Sequence, residues 1–264
     1  MPHVVWAIVA AIFGLAVGSF LNVVIYRVPA DESVVSPPSK CPNCGAAIRN
    51  RHNVPVVGWL VLRGRCFDCR EPISVRYPLV EAATAILFAA VTVRLIDLHL
   101  AEALPAYLWF TAIGIALTMI DIDVRRLPDK IVLPSYPILG VLLLAATIDN
   151  HGWWALGRAG IGAACLFAFY FVIAFAYPAG MGFGDVKLSG LIGGVLGYLS
   201  WDAFGVGAFG GFVLGSVGGI AVLALGRGGR KTAIPYGPYM IAAAILAIFV
   251  ARPVADAYLD LLGR

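Results

Sequence analysis

Eight apolar runs dominate this chain, at roughly residues 4–26, 77–96, 104–121, 131–148, 155–177, 187–200, 203–225 and 234–251. A helix needs about 20 mostly apolar residues to cross a bilayer, and all but the sixth run come close to that. The sixth is short and glycine-rich. Hydrocarbon offers no partner to a backbone N–H or C=O, so such a run has to close its hydrogen bonds within itself, as a helix. Charged residues make up 13% of the 264 and hydrophobic ones 61%. A soluble domain carries about 25% charged residues, so a water-soluble globular protein is excluded. The expected fold is an all-α polytopic membrane protein with about eight transmembrane helices. No Lys or Arg precedes the first run, Arg27 follows it, and no small-x-small cleavage site is evident. It is read as a retained helix with its N-terminus outside rather than a signal peptide.

In that orientation the inner loops are about 27–76, 122–130, 178–187 and 226–233. They hold 15 of the 19 Lys and Arg residues; Arg94, Arg158, Arg252 and Arg264 fall elsewhere. An excess of cations in cytoplasmic loops sets orientation. Both termini are therefore expected outside, and the long loop between helices 1 and 2 in the cytosol.

That loop carries Cys41-x-x-Cys44 and Cys66-x-x-Cys69, with 21 residues between the pairs. Two such pairs read as a four-thiolate zinc site. Two disulfides are the competing reading, but cytosolic thiols stay reduced. The loop buries too little apolar surface to fold unaided, so a metal would stabilise it. Four sulfurs fill the shell and leave no open position, which makes this zinc structural and leaves His52 outside it. Cys165, in the middle of a run, is read as packing. The chain then divides into residues 1–27, a first transmembrane helix; 28–76, a small cytosolic zinc domain; and 77–264, a seven-helix membrane domain.

Two acidic clusters sit at the inner ends of runs. "TMIDIDVRRLPDK" brings Asp121, Asp123 and Asp129; "GMGFGDVK" brings Asp185. Helix 3 runs inward to Asp121, and helix 6 starts near Asp185 and runs outward, so both carboxylates are expected at similar depth. An acid this close to hydrocarbon is a functional-site hypothesis by default. Two neighbouring carboxylates share a proton, one acting as base towards water and the other as acid towards a carbonyl, as in aspartic proteases. Gly182 and Gly184 would permit unusual backbone geometry and close approach of a substrate chain. A helix N-cap role for Asp185 fits the same position. Asp123 and Asp129 read as surface acids pairing with Arg125, Arg126 or Lys130. Asp121 directly follows an apolar run and is the deeper acid. The glycine pairs Gly190/Gly194 and Gly193/Gly197, and the ladder Gly207, Gly211, Gly215, Gly219, mark close helix packing in lipid.

Across nearly the whole chain these features resemble the bacterial prepilin peptidases, or type IV leader peptidases, polytopic aspartic proteases of the G-x-G-D type. The resemblance rests on "GSFLNVVIYRVP", the paired cysteines with "LRGRC" and "ISVRYPLVE", "DIDVRRLPD", "GMGFGDVKL" and "IPYGPYM". It implies catalytic aspartates at Asp121 and Asp185, because the family pattern runs seven positions from its first aspartate to Pro128 and Asp129. It implies supporting roles for Gly182, Gly184, Pro128, Asp129 and Lys187, the last as a charge that stabilises the site. The resemblance further implies an endopeptidase of the inner membrane that removes the basic leader of type IV prepilins or type II secretion pseudopilins, after a glycine, at the cytosolic face. Many members with the cysteine loop also methylate the new N-terminus with S-adenosylmethionine; no residue here is assigned to that cofactor. The expected partners are these substrates and the lipid bilayer, with no nucleic acid. A proton- or cation-coupled transporter with a zinc-stabilised cap is the alternative, although it predicts midplane sites and internal repeats that are not evident. A non-enzymatic scaffold gives no reason for two deep aspartates.

Overall fold

The computed structural model describes residues 2–178, 180–225, 235–261 and 263. Arg227, Arg230, Lys231, Ile234 and Arg264 lie outside the described residues. Among those described, the long helices are α1 (Pro2–Arg27), α3 (Arg76–Asp97), α4 (Leu104–Val124), α5 (Asp129–Asn150), α6 (Trp153–Ala176), α7 (Phe183–Leu199), α8 (Trp201–Ala224) and α9 (Gly237–Leu261), with a single-turn helix α2 (Val57–Val61) in the loop before α3. No strand occurs among the described residues.

Seven of these helices are long and apolar enough to cross a membrane. The sixth expected span, α7, is the exception at 17 residues, about 26 Å at the α-helical rise. Its composition has a tertiary reason. Every residue from Leu188 to Tyr198 is buried except Gly194, because α5, α6, α8 and α9 all pack on it. A helix enclosed by other helices need not match the width of the lipid. It also starts earlier than the apolar run, which places Asp185 in its first turn.

The chain forms two compact units, residues 1–99 with 111–116, and residues 100–110 with 117–264. In the first, α1 and α3 run antiparallel: the position of a Cβ on Gly14 would abut the backbone of Ala85, and on Gly18 that of Glu81. His3 meets Asp97 at the far end at 3.4 Å. Glu81 is buried and accepts a hydrogen bond from the Val56 amide at 2.7 Å, which ties the loop to α3.

In the second unit α7 is the core. Gly162 on α6 and Gly193 on α7 bring their backbones together so closely that a Cβ on either would strike the other's carbonyl oxygen. Close approach of this kind is the main packing force available between helices in lipid. The C-terminal carbonyls of α7 have no partner within the helix. Arg158 reaches across from α6 to hydrogen-bond those of Gly197, Tyr198 and Leu199, the last at 3.0 Å. This explains one cation that falls outside the cytoplasmic loops: Arg158 caps a helix.

Candidate active site and metal centre

The four cysteines of the loop converge. Their sulfurs all lie within 4.8 Å of one another, and Cys41 Sγ and Cys69 Sγ are 3.8 Å apart. A tetrahedral zinc with Zn–S near 2.3 Å sets its sulfurs about 3.8 Å apart, so the donor set fits that ion. The two halves of the cluster repeat one backbone design. Cys41 N bonds Ala46 O, Gly45 N bonds Cys41 O and Ile48 N bonds Ser39 O; five, four and seven residues on from the cysteine in the same way, Cys66 N bonds Glu71 O, Arg70 N bonds Cys66 O and Ile73 N bonds Gly64 O. Each turn needs a left-handed residue just after its second cysteine. Gly45 supplies one at φ 72° and Arg70 the other at φ 64°. The N–H groups of Cys44 and Asn43 face the Cys41 sulfur and bring its pKa down to about 7. Phe67, inside the second turn, lies under the Arg49 guanidinium at 4.1 Å and beside His52 at 4.7 Å.

The acids belong to the second unit. The helix α4 closes at Val124 with Arg125 in the left-handed conformation, its amide bonded to Asp121 O at 2.9 Å. Pro128 then takes the N-cap position of α5, and Asp129 is the first residue of that helix. Asp121 is buried, 5% exposed, whereas Asp123 is exposed. Asp121 Oδ2 has no hydrogen-bond partner among the described residues. Nearly every buried polar atom is paired, and leaving one unpaired is costly. Asp185 lies half-buried in the first turn of α7. The N-cap is Gly182, and no side chain caps this helix; Asp185 is not a cap. The charges of Asp121 and Asp185 are close enough to act on one another.

The glycines work through space rather than through unusual backbone. Gly182 has φ −73° and ψ 142°, which any residue can adopt, and a Cβ on it would make only an ordinary contact with Asp185 Oδ2 at 3.4 Å. A Cβ on Gly184 would press Leu127 at 3.0 Å. Gly237, which opens α9, is tighter still: its Cβ would lie 2.9 Å from Asp121 Oδ2 and 3.3 Å from Leu127. Just before it, Tyr236 meets Tyr170 hydroxyl to hydroxyl at 3.1 Å. The stretch "IPYGPYM" carries part of the resemblance but implies no role for Gly237 or Tyr236; a glycine inside an aromatic-proline cluster at the start of an apolar run is the local signal that marks them. Asp129, expected to pair with Arg125, Arg126 or Lys130, pairs with Lys187, both of its oxygens 2.8 Å from Nζ.

With this geometry in hand, comparison with known proteins is decisive. Residues 108–251 match the family described as the type IV leader peptidase family. The chain belongs to that family. Residues 12–95 match the bacterial peptidase A24 N-terminal domain. Over 94% of its length the chain is 35% identical to the prepilin leader peptidase/N-methyltransferase of Aeromonas hydrophila, covering 92% of that protein. It is 34% identical to the protein of the same name from Pseudomonas putida, over 96% of this chain and 94% of the relative. For that of Bacillus subtilis strain 168 the figures are 33%, 95% and 96%. No solved structure matches the chain. Membership of this family makes the protein a multi-pass membrane peptidase, and the relatives matched along nearly its whole length join an N-methyltransferase activity to it.

Proposed function

We propose that this leader peptidase cleaves type IV prepilins or the related pseudopilins after a glycine, at the cytosolic face of the inner membrane, with Asp121 and Asp185 as the catalytic pair. The observation that carries the reading is the buried, unpartnered Asp121 Oδ2 within electrostatic reach of Asp185. One carboxylate takes a proton from water, whose oxygen attacks the peptide carbonyl. The other gives a proton to the carbonyl oxygen, and collapse of the tetrahedral adduct sends a proton to the leaving amine. No nucleophilic side chain is required. The charge bias of the loops supports a cytosolic site: the substrate's apolar helix stays in lipid while its basic leader projects to the level of the two acids. Pro128 and Asp129 support the pair by opening α5 just after the turn that follows Asp121, Gly184 by leaving room for Leu127, and Gly182 by leaving a substrate chain close access to Asp185.

Cys41, Cys44, Cys66 and Cys69 hold a structural zinc in this reading, and the domain of residues 28–76 is associated with methyl transfer. S-adenosylmethionine supplies the methyl group, and the new amino terminus accepts it. The test is mass spectrometry of a purified prepilin incubated with the detergent-solubilised protein. Loss of the leader after the glycine, with a further gain of one methyl when S-adenosylmethionine is added, supports both activities. A well-folded protein that cuts nothing, yet moves protons or cations in vesicles, supports the transporter alternative.

A further inference from the structure

Lys187 stands two residues beyond Asp185, where the family resemblance has its charge stabilise the site directly. Its charge is engaged elsewhere. Nζ lies 2.8 Å from both oxygens of Asp129, and it sits over the ring of Phe183, one turn earlier on α7, at 5.0 Å. The same residue is held a second time through its backbone: Tyr136 donates its hydroxyl to Lys187 O at 2.6 Å. Asp129 and Tyr136 are seven residues apart on α5, which places them two turns apart on one face. Gly190 makes room for this grip, since a Cβ there would run into the Tyr136 hydroxyl.

The connectivity gives the grip its meaning. From Asp121 the chain passes through the Arg125 cap and Pro128 to Asp129. The ion pair joins Asp129 to Lys187, and two peptide units lead back to Asp185. These links make one continuous path, part covalent and part ionic, with the two acids at its ends. Asp129 is 54% exposed and Lys187 20%, and an ion pair so open to water adds little to stability. Its value is geometric, because a misplacement of about 1 Å in a catalytic group can cost about 100-fold in rate.

We infer that Asp129 and Lys187 form a latch, backed by Tyr136, that sets Asp185 against Asp121. Lys187 is thus a positioning residue and not a charge offered to the transition state. The inference rests on the proposed catalytic pair for its kinetic readout and on the helix contacts alone for its structural one.

The experiment uses the full chain in lipid nanodiscs, with steady-state cleavage of a purified prepilin and hydrogen exchange of the α7 segment 183–189. The variants are Lys187→Met, Asp129→Asn, Tyr136→Phe and the charge-swapped double Asp129→Lys/Lys187→Asp. Each single charge variant is expected to lower kcat about 10- to 100-fold with little change in KM, and to speed exchange in the first turns of α7. Tyr136→Phe shows a smaller version of both. The swapped pair recovers most of the rate and the slow exchange. If Asp129→Asn keeps full kcat while Lys187→Met loses it, Lys187 acts by its own charge and the latch is overturned. Singles and swap that all leave exchange unaltered overturn it as well. If the wild type cleaves no prepilin, the proposed function fails, and the exchange data still decide the latch: faster exchange in both singles with recovery in the swap supports it, and unchanged exchange rejects it.

Discussion

A methyl group on Gly237 would sit 2.9 Å from Asp121 Oδ2 and 3.3 Å from Leu127, well inside ordinary contact distance. Both neighbours are side chains, so Gly237→Ala is accommodated by displacing either the aspartate carboxylate or the leucine wedged between Gly184 and Gly237. We expect cleavage to fall about 10- to 100-fold while the helical signal and detergent stability stay near wild type. Gly140→Ala is the matched control, because nothing lies within 4 Å of a Cβ there; its cleavage rate should be unchanged. Equal losses in both variants would show that the space beside Asp121 is not special. The acids themselves were legible in the sequence, since a carboxylate at the end of an apolar run is expensive wherever the chain goes. Gly237 was not, because its importance comes from α9 meeting the end of α4, a contact with no local trace. Of the two roles expected of Gly182, unusual backbone and close approach of a substrate chain, its ordinary φ of −73° removes the first.

At the scale of elements, α7 depends on a cap borrowed from its neighbour. Arg158→Met would leave the carbonyls of Gly197, Tyr198 and Leu199 without their guanidinium donor. An unsatisfied buried group costs about 1–3 kcal/mol, so thermal unfolding in detergent should shift down measurably and exchange at the end of α7 should speed up. An unchanged unfolding midpoint would mean that other donors take over. The helices were readable from their apolar runs, and seven are long and apolar enough to cross a membrane. The eighth, α7, was drawn four residues late because Phe183–Val186 mixes glycine and acid with apolar residues, and its burial on every side could not be seen in one dimension. Likewise α9 continues through Pro253 to Leu261, past the end of its apolar run. In the cysteine loop the spacing pointed to the four sulfurs that converge, but not that Arg70 stands where the first turn has Gly45, both with positive φ. A metal-holding loop of this kind should lose its order when the ion is removed. Chelation is therefore expected to release about one zinc per chain and to open residues 40–73 to limited proteolysis, and a chelator-treated loop as resistant as the untreated one would contradict a structural metal.

For the whole molecule the distribution of cations makes the strongest demand. The loops assigned to the cytosol hold 15 of the 19 basic residues, and one exception, Arg158, is explained by capping. Val35 is 88% exposed in the cysteine-bearing loop, and His151 is exposed in the turn between α5 and α6. A membrane-impermeant thiol reagent should label His151→Cys in intact cells, and Val35→Cys only after permeabilisation. The reverse pattern would place the aspartates on the other face, away from a leader held in the cytosol. The central claim is narrower and can be tested directly. Wild type, Asp121→Asn, Asp123→Asn and Asp185→Asn proteins are incubated with one purified prepilin and the products weighed by mass spectrometry. The account predicts that leader removal vanishes with Asp121→Asn and with Asp185→Asn and persists with Asp123→Asn. Persistence in either of the first two, or loss with Asp123→Asn alone, would contradict it.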